Sequence, residues 1–362
     1  MADFNEEQLR RISFHLLTFQ NPKARQHVLR NRVKIADFFR MDARELESTG
    51  LFPDEVQAVR ERNWAAAERE ITRARKNGIA IIFSDEADYP PLLGEIYDPP
   101  ELVYYLGDRE LLRRDKLAVV GSRRGTAYGQ SALNRVLPEC CRAGLVIVSG
   151  MAFGIDSMAH RVALRENGGT IGVNAGGLLH LTPPGNAGLI RRIGERGGII
   201  SEFPLDMTPR PYLFPVRNRI ISGMSRAVLI VEAAMRSGSL ITARLALDQN
   251  REVLAIPGNI DSPVSQGTNR LLQQGAKPVI AASDLLDEFG LPAASQSWIE
   301  AVLTAKERRV LDLCGGNEVI SIDFLVEKLE LSIAEIISLM MGLVLKNLVI
   351  EEAGGYRRIH HG

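Results

Sequence analysis

The apolar positions of the chain change their period twice. From residue 1 to about 78, Leu9, Ile12, Leu16 and Phe19 recur three or four apart, and Leu46, Leu51, Val56 and Val59 flank a break at Gly50 and Pro53. That spacing predicts a small all-α domain of short helices. Its Gly-containing turn fits a SAM or helix-hairpin-helix module, either a packing element or one that grips DNA backbone. From about 79 the apolar residues gather into short β-branched runs at 79–83, 117–120, 145–148, 170–174, 199–201, 228–231, 253–256 and 279–281. Helical runs at 129–143, 156–166, 187–196, 239–249 and 267–275 separate them, which predicts an α/β core with an extended Rossmann-like, doubly wound, mainly parallel sheet over 79–290. Residues 291–299 read as a linker. Helical patterns near 301–314, 322–330 and 333–347, two short strands and a Gly354-Gly355 turn then predict a winged-helix domain over 300–362.

At 362 residues the chain exceeds what one core normally serves, in keeping with several domains. It carries 44 basic and 44 acidic residues, a balance that argues against a chain built to coat nucleic acid or an anionic membrane. The balance is an average over unlike parts. Residues 116–275 carry +8, seventeen of their eighteen cations being arginine, whereas 79–115 carry −6 and 276–362 carry −5. Arginine suits planar hydrogen bonding to phosphate or carboxylate. Cys140, Cys141 and Cys314 lack metal or disulfide spacing. The acidic N-terminus and the lack of an apolar run near the ~18 residues of a membrane span point to the cytoplasm, with no membrane partner.

Parallel sheets bind ligands beyond the carboxyl ends of their strands, so the loops there carry the candidate chemistry. The first reads Gly121-Ser122-Arg123-Arg124-Gly125-Thr126. Its glycines and the helix that follows offer close backbone approach and an anion cradle, but it is neither G-x-G-x-x-G nor a P-loop. The second, Ser149-Gly150-Met151-Ala152-Phe153-Gly154-Ile155-Asp156, brings small residues above the sheet and offers the Phe153 ring for base stacking. Asp156 and His160, one turn apart, read as structural. The third, 175–186, is Gly-rich. In the fourth, Phe214-Pro215-Val216-Arg217-Asn218-Arg219, the two arginines lie ~200° apart on a helix and take different tasks, one binding phosphate and one locking the core. The fifth, Arg236-Ser237-Gly238-Ser239, forms a hydroxyl-and-amide anion nest at a helix start. Glu232 is the one strand-end carboxylate placed to act as a base, and it reads more readily as a partner for an arginine. No nucleophile triad, metal-ligand cluster or carboxylate dyad appears, so no catalytic residue and no cofactor is expected.

The ordered motifs Val120-Gly121-Ser122-Arg123, Ser149-Gly150-x-Ala152-x-Gly154-Ile155-Asp156, Phe214-Pro215-x-Arg217-Asn218-Arg219, Ser237-Gly238-Ser239-Leu240-Ile241-Thr242 and Pro257-Gly258 together resemble the DprA/Smf family of DNA-processing proteins. The resemblance implies a non-catalytic, single-stranded-DNA-binding recombination mediator that protects incoming DNA, loads the RecA recombinase during natural transformation, and self-associates as a homodimer through the core. It implies DNA contacts from Gly121, Ser122, Arg123, Arg217, Asn218, Arg219 and the Ser237 to Ser239 loop; Arg124, Gly150, Phe153 and Gly154 join them from the residue reading. Members often carry a Tyr-Pro pair and a Lys in the third loop, where this chain has Thr182-Pro183 and no Lys, so Arg191 or Arg192 would have to substitute. The alternative is a nucleotide-processing enzyme of the phosphoribohydrolase type, but its Pro-Gly-Gly-x-Gly-Thr loop and downstream Glu are missing. The third helix of the winged-helix segment is apolar on most faces and offers few base-reading side chains, which predicts a protein contact rather than duplex reading.

Overall fold

The computed structural model describes residues 4–31, 33–292, 303–314, 319–329, 331–345, 348–352 and 354–358. From residue 293 on, the predicted linker lies outside them, as do Lys346, Asn347 and Ile359. The chain forms two compact units, Met1–Ala293 and Ala294–Gly362.

The first unit is organised by a nine-stranded sheet in the order β1, β2, β6, β5, β4, β3, β7, β8, β9. The strands are β1 (Ala80–Phe83), β2 (Leu102–Gly107), β3 (Lys116–Val120), β4 (Val146–Ser149), β5 (Thr170–Val173), β6 (Gly198–Ser201), β7 (Ala227–Ile230), β8 (Glu252–Ala255) and β9 (Lys277–Pro278). From β6 to β9 every pairing is parallel. The parallel strands are apolar throughout because both faces are covered. Ala118, Val120, Val146, Val148, Val228 and Ile230 meet the helices Leu213–Gly223 and Gly238–Asp248. Leu117, Val119, Ile147, Leu229 and Leu254 meet the helices Ala127–Arg142 and Ile155–Arg165 on the other side. This alternation is the two-residue period of a strand. Cys140 and Cys141 are free thiols buried in that second layer.

Two features depart from the pattern read in the sequence. Strand β2 lies outside the β-branched runs that the sequence predicts, and it pairs antiparallel with both β1 and β6. The last strand is β9 rather than 279–281, although the Val279 amide still donates to Ala255 O at 3.0 Å. The chain steps from β3 outward to β6 and then returns to lay β7 against the other side of β3, so the crevice beyond the ends of β3 and β7 is the topological switch point.

The N-terminal helices pack on the antiparallel end of this sheet. Ile12, Leu16, Ala67, Ile71 and Ala74 share a core with β1, β2 and the helix Ala187–Arg196, and Phe14, Ala24, Val28, Phe38, Leu46, Val56 and Val59 form a small core of their own. In the second unit the helices Ala305–Leu313, Ile322–Leu329 and Ile333–Leu345 precede a hairpin of β10 (Val349–Glu352) and β11 (Gly355–Arg358). Leu311, Leu325, Ile336, Met340, Leu343 and Tyr356 fill its core. Ile333, Ile337 and Met341, four residues apart, stay exposed on one stripe of the third helix. Among the described residues no helix is long and apolar enough to cross a membrane.

Candidate nucleic-acid interface

A cleft of about 640 Å³ opens at the switch point. Its walls bring together Gly121, Ser122, Arg123 and Arg124 after β3, Arg217 and Asn218 on the helix Leu213–Gly223, and Ser237, Gly238 and Ser239 after β7. Three segments far apart in sequence thus converge. Phe214 and Arg236, which belong to the fourth and fifth loops but not to the expected DNA contacts, line it as well. Arg123, Arg124 and Arg236 are exposed. The Arg123 guanidinium lies 5.4 Å from the Phe214 ring centre, near enough for a cation–π contact.

The floor is held by buried charge. Arg217, 4% exposed, donates from Nη1 to Gly150 O at 2.9 Å and to Val173 O, and from Nε to Asn218 Oδ1 at 3.2 Å. Burial lowers its pKa to about 10, opposed by Asp156 and reinforced by Arg123, so it remains a cation at neutral pH. Asp156 accepts from the amides of Gly150 at 3.1 Å and Ala152 at 3.4 Å. Burial pushes its pKa up while Arg217 pulls it down. His160 beneath them is fully buried, with Nδ1 2.7 Å from Thr170 Oγ1; burial and Arg217 bring its pKa down to about 3. The structural reading of Asp156 and His160 therefore describes their surroundings.

The second loop shapes this floor through missing side chains. A Cβ on Gly150 would stand 2.6 Å from Arg217 Nη2 and 2.8 Å from an Asp156 oxygen. Gly154, at φ +74°, presses on the carbonyls of Ser122 and Arg123, and Gly121 leaves room for Ile155. These glycines serve close packing rather than approach by a ligand. Phe153 is exposed but lies against Gly185 of the third loop, outside the cleft.

The first loop departs from the expected amide cradle, because three of its amides are already used. Ser122 N donates to Glu232 O at 2.7 Å, Arg124 N to Ser122 Oγ at 3.1 Å, and Thr126 N to Glu232 Oε2 at 2.9 Å, with the Thr126 hydroxyl on the other carboxylate oxygen. Glu232 is thus no arginine's partner among the described residues but the anchor of Thr126, the residue that caps the helix Ala127–Arg142 by accepting from Gly129 N at 3.3 Å. The fifth loop differs. Ser237 caps its helix through Ser239 N at 3.3 Å, the two hydroxyls meet at 2.7 Å, no acid lies in the first turn, and the space around Gly238 is open.

Arg219 does not reach the cleft. It faces the N-terminal helices, where Glu202 accepts from Nη2, and Asp98 lies 3.2 Å from Nε. Neither arginine of the fourth loop is free: both guanidinia are spent on the protein, so the cations available to a phosphate come from Arg123, Arg124 and Arg236. The third loop folds on itself, its backbone carbonyls accepting from the Asn174 amide. Neither it nor the exposed Arg191 and Arg192 is part of the cleft wall. Among the described residues no cluster of His, Cys, Asp and Glu could hold a metal ion.

Comparison with known proteins agrees with this architecture. The family model of DNA recombination-mediator protein A matches residues 80–290. DNA processing protein DprA of Bacillus subtilis is 42% identical over 233 residues, 64% of this chain and 78% of that protein. Protein Smf of Escherichia coli is 36% identical over 328 residues, 88% of each. The solved structure of DprA from Streptococcus pneumoniae superposes with a TM-score of 0.64 at 33% identity, covering 79% of this chain and 99% of that one. That of DNA processing protein A from Helicobacter pylori, a study of its single-stranded-DNA binding mode, gives 0.53 at 31% identity, covering 58% and 95%.

Proposed function

Because the chain belongs to the DNA recombination-mediator protein A family, we propose that it binds single-stranded DNA in the switch-point cleft. In this reading the phosphates lie between the exposed Arg123, Arg124 and Arg236 and the Ser237 to Ser239 helix start. The observation that carries it is the allocation of charge. Asp156, the one carboxylate among the described cleft residues, is tied to backbone amides and faced by Arg217, while the rim arginines stay exposed. Gly121, Gly150, Gly154, Arg217 and Asn218 then act by shaping the groove. With the acids engaged in capping, the cleft holds DNA without cleaving it. Delivery of the strand to RecA and pairing of two copies through the core complete the proposal. The exposed Ile333, Ile337 and Met341 stripe supports a protein contact for the winged helix.

An electrophoretic shift with single- and double-stranded oligonucleotides at two salt concentrations, with and without RecA, tests it. Single strands are expected to bind preferentially. Arg123→Ala with Arg236→Ala should weaken binding on the order of 100-fold at low salt and flatten the log affinity against log salt by about 1.4, ~0.7 per phosphate contact. Wild-type binding that ignores salt would remove the phosphate mechanism.

A further inference from the structure

Residues 8–36 contain no Asp or Glu, and 23–34 hold Lys23, Arg25, Arg30, Arg32 and Lys34. The structure sorts Lys23, Arg25 and Arg30. On the helix Pro22–Asn31, Ala24 and Val28 face the small N-terminal core. Arg25 turns the same way, its guanidinium 3.6 Å from the Phe19 ring centre and 3.6 Å from Glu202. Lys23, Gln26, His27 and Arg30 recur at i, i+3, i+4 and i+7, so they form one stripe on the opposite face. Lys23, Gln26 and Arg30 are exposed and His27 is half-buried.

That stripe borders a depression of about 430 Å³ completed by Asn31, Ser48, Thr49 and Gly50, with no carboxylate in its lining. The turn is held against the stripe: the Asn21 amide donates to Gly50 O at 2.6 Å, and a Cβ on Gly50, at φ +98°, would stand 2.7 Å from Lys23 Cβ. Among the described residues neither Lys23 nor Arg30 has an acidic partner. By contrast Arg10, Arg11 and Arg25 are all ion-paired. The hairpin turn itself offers little to an anion, since the Phe52 amide donates to Glu55 Oε2 at 2.7 Å and the Gly50 amide to Glu47 O at 2.9 Å. Between the turn and the stripe beside it, the stripe is therefore the better placed to meet an anion.

We propose that Lys23, His27 and Arg30 form a second phosphodiester-binding surface, which takes the sugar-phosphate backbone of DNA extending beyond the stretch held in the cleft. An ammonium and a guanidinium on flexible stems over a polar floor, with no Phe, Tyr or Trp among the residues lining the depression, fit backbone contact without base preference. The surface is separate in sequence and in chemistry from the cleft, and the two fail independently.

The test uses the full chain and its Lys23→Gln/Arg30→Gln variant, with thymidine oligonucleotides of about 6 and about 30 residues and a duplex of about 30 base pairs. Both side chains are exposed, so unchanged thermal unfolding is expected to accompany the substitutions. The variant should bind the short strand as the wild type does and bind a long substrate on the order of tenfold more weakly, with the salt slope reduced by about 1 to 2. Loss confined to the 30-mer strand assigns the surface to single-stranded DNA, and loss confined to the duplex assigns it to double-stranded DNA; both support the proposal. Unchanged binding of both long substrates overturns it, as does equal weakening of the 6-mer. The Arg123→Ala/Arg236→Ala variant separates the two readings: if it keeps full affinity for the 6-mer, the cleft assignment fails while this one stands.

Discussion

The helices Ala127–Arg142 and Gly238–Asp248 both follow a Gly- and Ser-containing loop that lines the cleft at the end of a central strand. Their unpaired amides meet different fates. At the first, the buried Glu232 carboxylate takes the Thr126 amide and hydroxyl, and Gly129 leaves it room, since a Cβ there would stand 2.8 Å from the carboxylate. At the second, only the Ser237 and Ser239 hydroxyls attend the helix start, and no acid lies in its first turn. A carboxylate at a helix N-terminus satisfies the same partial charge that would otherwise attract a phosphate. The helix Ile155–Arg165 follows the first pattern, its loop amides committed to Asp156. Two of the three helix starts are therefore stabilising elements of the fold and one is open to a ligand. The segment after β7 supplies both kinds, Glu232 plugging one start and Ser237, five residues on, opening the other.

The widest expected effect concerns the acid-capped side. His160 has a folded-state pKa of about 3 against an ordinary value near 6.5, so the unfolded chain binds the extra proton between those limits. Its contribution is fully present above about pH 6.5 and is lost as pH falls toward 3, at up to about 1.4 kcal/mol per pH unit. Urea melts from pH 7 to 4 should show the decline. His160→Gln should lessen it without abolishing it, because the buried His15 is shifted in the same direction. An identical pH slope in the variant would mean that the floor does not depend on His160 staying neutral.

The next effect moves the open start into the closed class. Ser237→Asp keeps a good N-cap and should leave thermal stability within about 0.5 kcal/mol, but it should reduce single-stranded-DNA affinity roughly tenfold. Unchanged affinity in a filter-binding titration would make the two starts equivalent and end the distinction. The smallest effect comes from the reverse exchange. Glu232→Gln retains the shape of the cap while removing its charge. It should lower stability by about 1 kcal/mol and raise affinity no more than about threefold, measured by thermal melts beside the same titration.

Much of the sheet was legible because strands covered on both faces must be apolar at every position, which sets 117–120 or 228–231 apart from the amphipathic helices around them. Strand β2 was harder to see. It follows Asp98-Pro99-Pro100-Glu101 and pairs antiparallel on both sides, outside the strand-helix-strand grammar that locates the others. The loops of the cleft could be read from their Gly, Ser and Arg content, and the different surroundings of Arg217 and Arg219 from their helical spacing. Which amides were already occupied could not, because Glu232 reaches Thr126 across 106 residues. Nor could sequence spacing show that Arg236 would share a wall with Arg123, or that both arginines of the fourth loop would be consumed inside the protein.

The glycines beneath the cleft have a consequence for how such a groove can be altered. At Gly150 an added methyl would collide with the guanidinium and carboxylate of the floor, and at Gly154 with the backbone of the first loop. At these two positions the backbone contour is therefore a fixed mould, intolerant of even one carbon atom. The rim arginines stand in solvent on that mould and can be exchanged singly. Retargeting the groove to a different polyanion is a matter of redecorating three side chains on an unchanged cast, and the tolerance of the protein to such recoding should end sharply at Gly150 and Gly154.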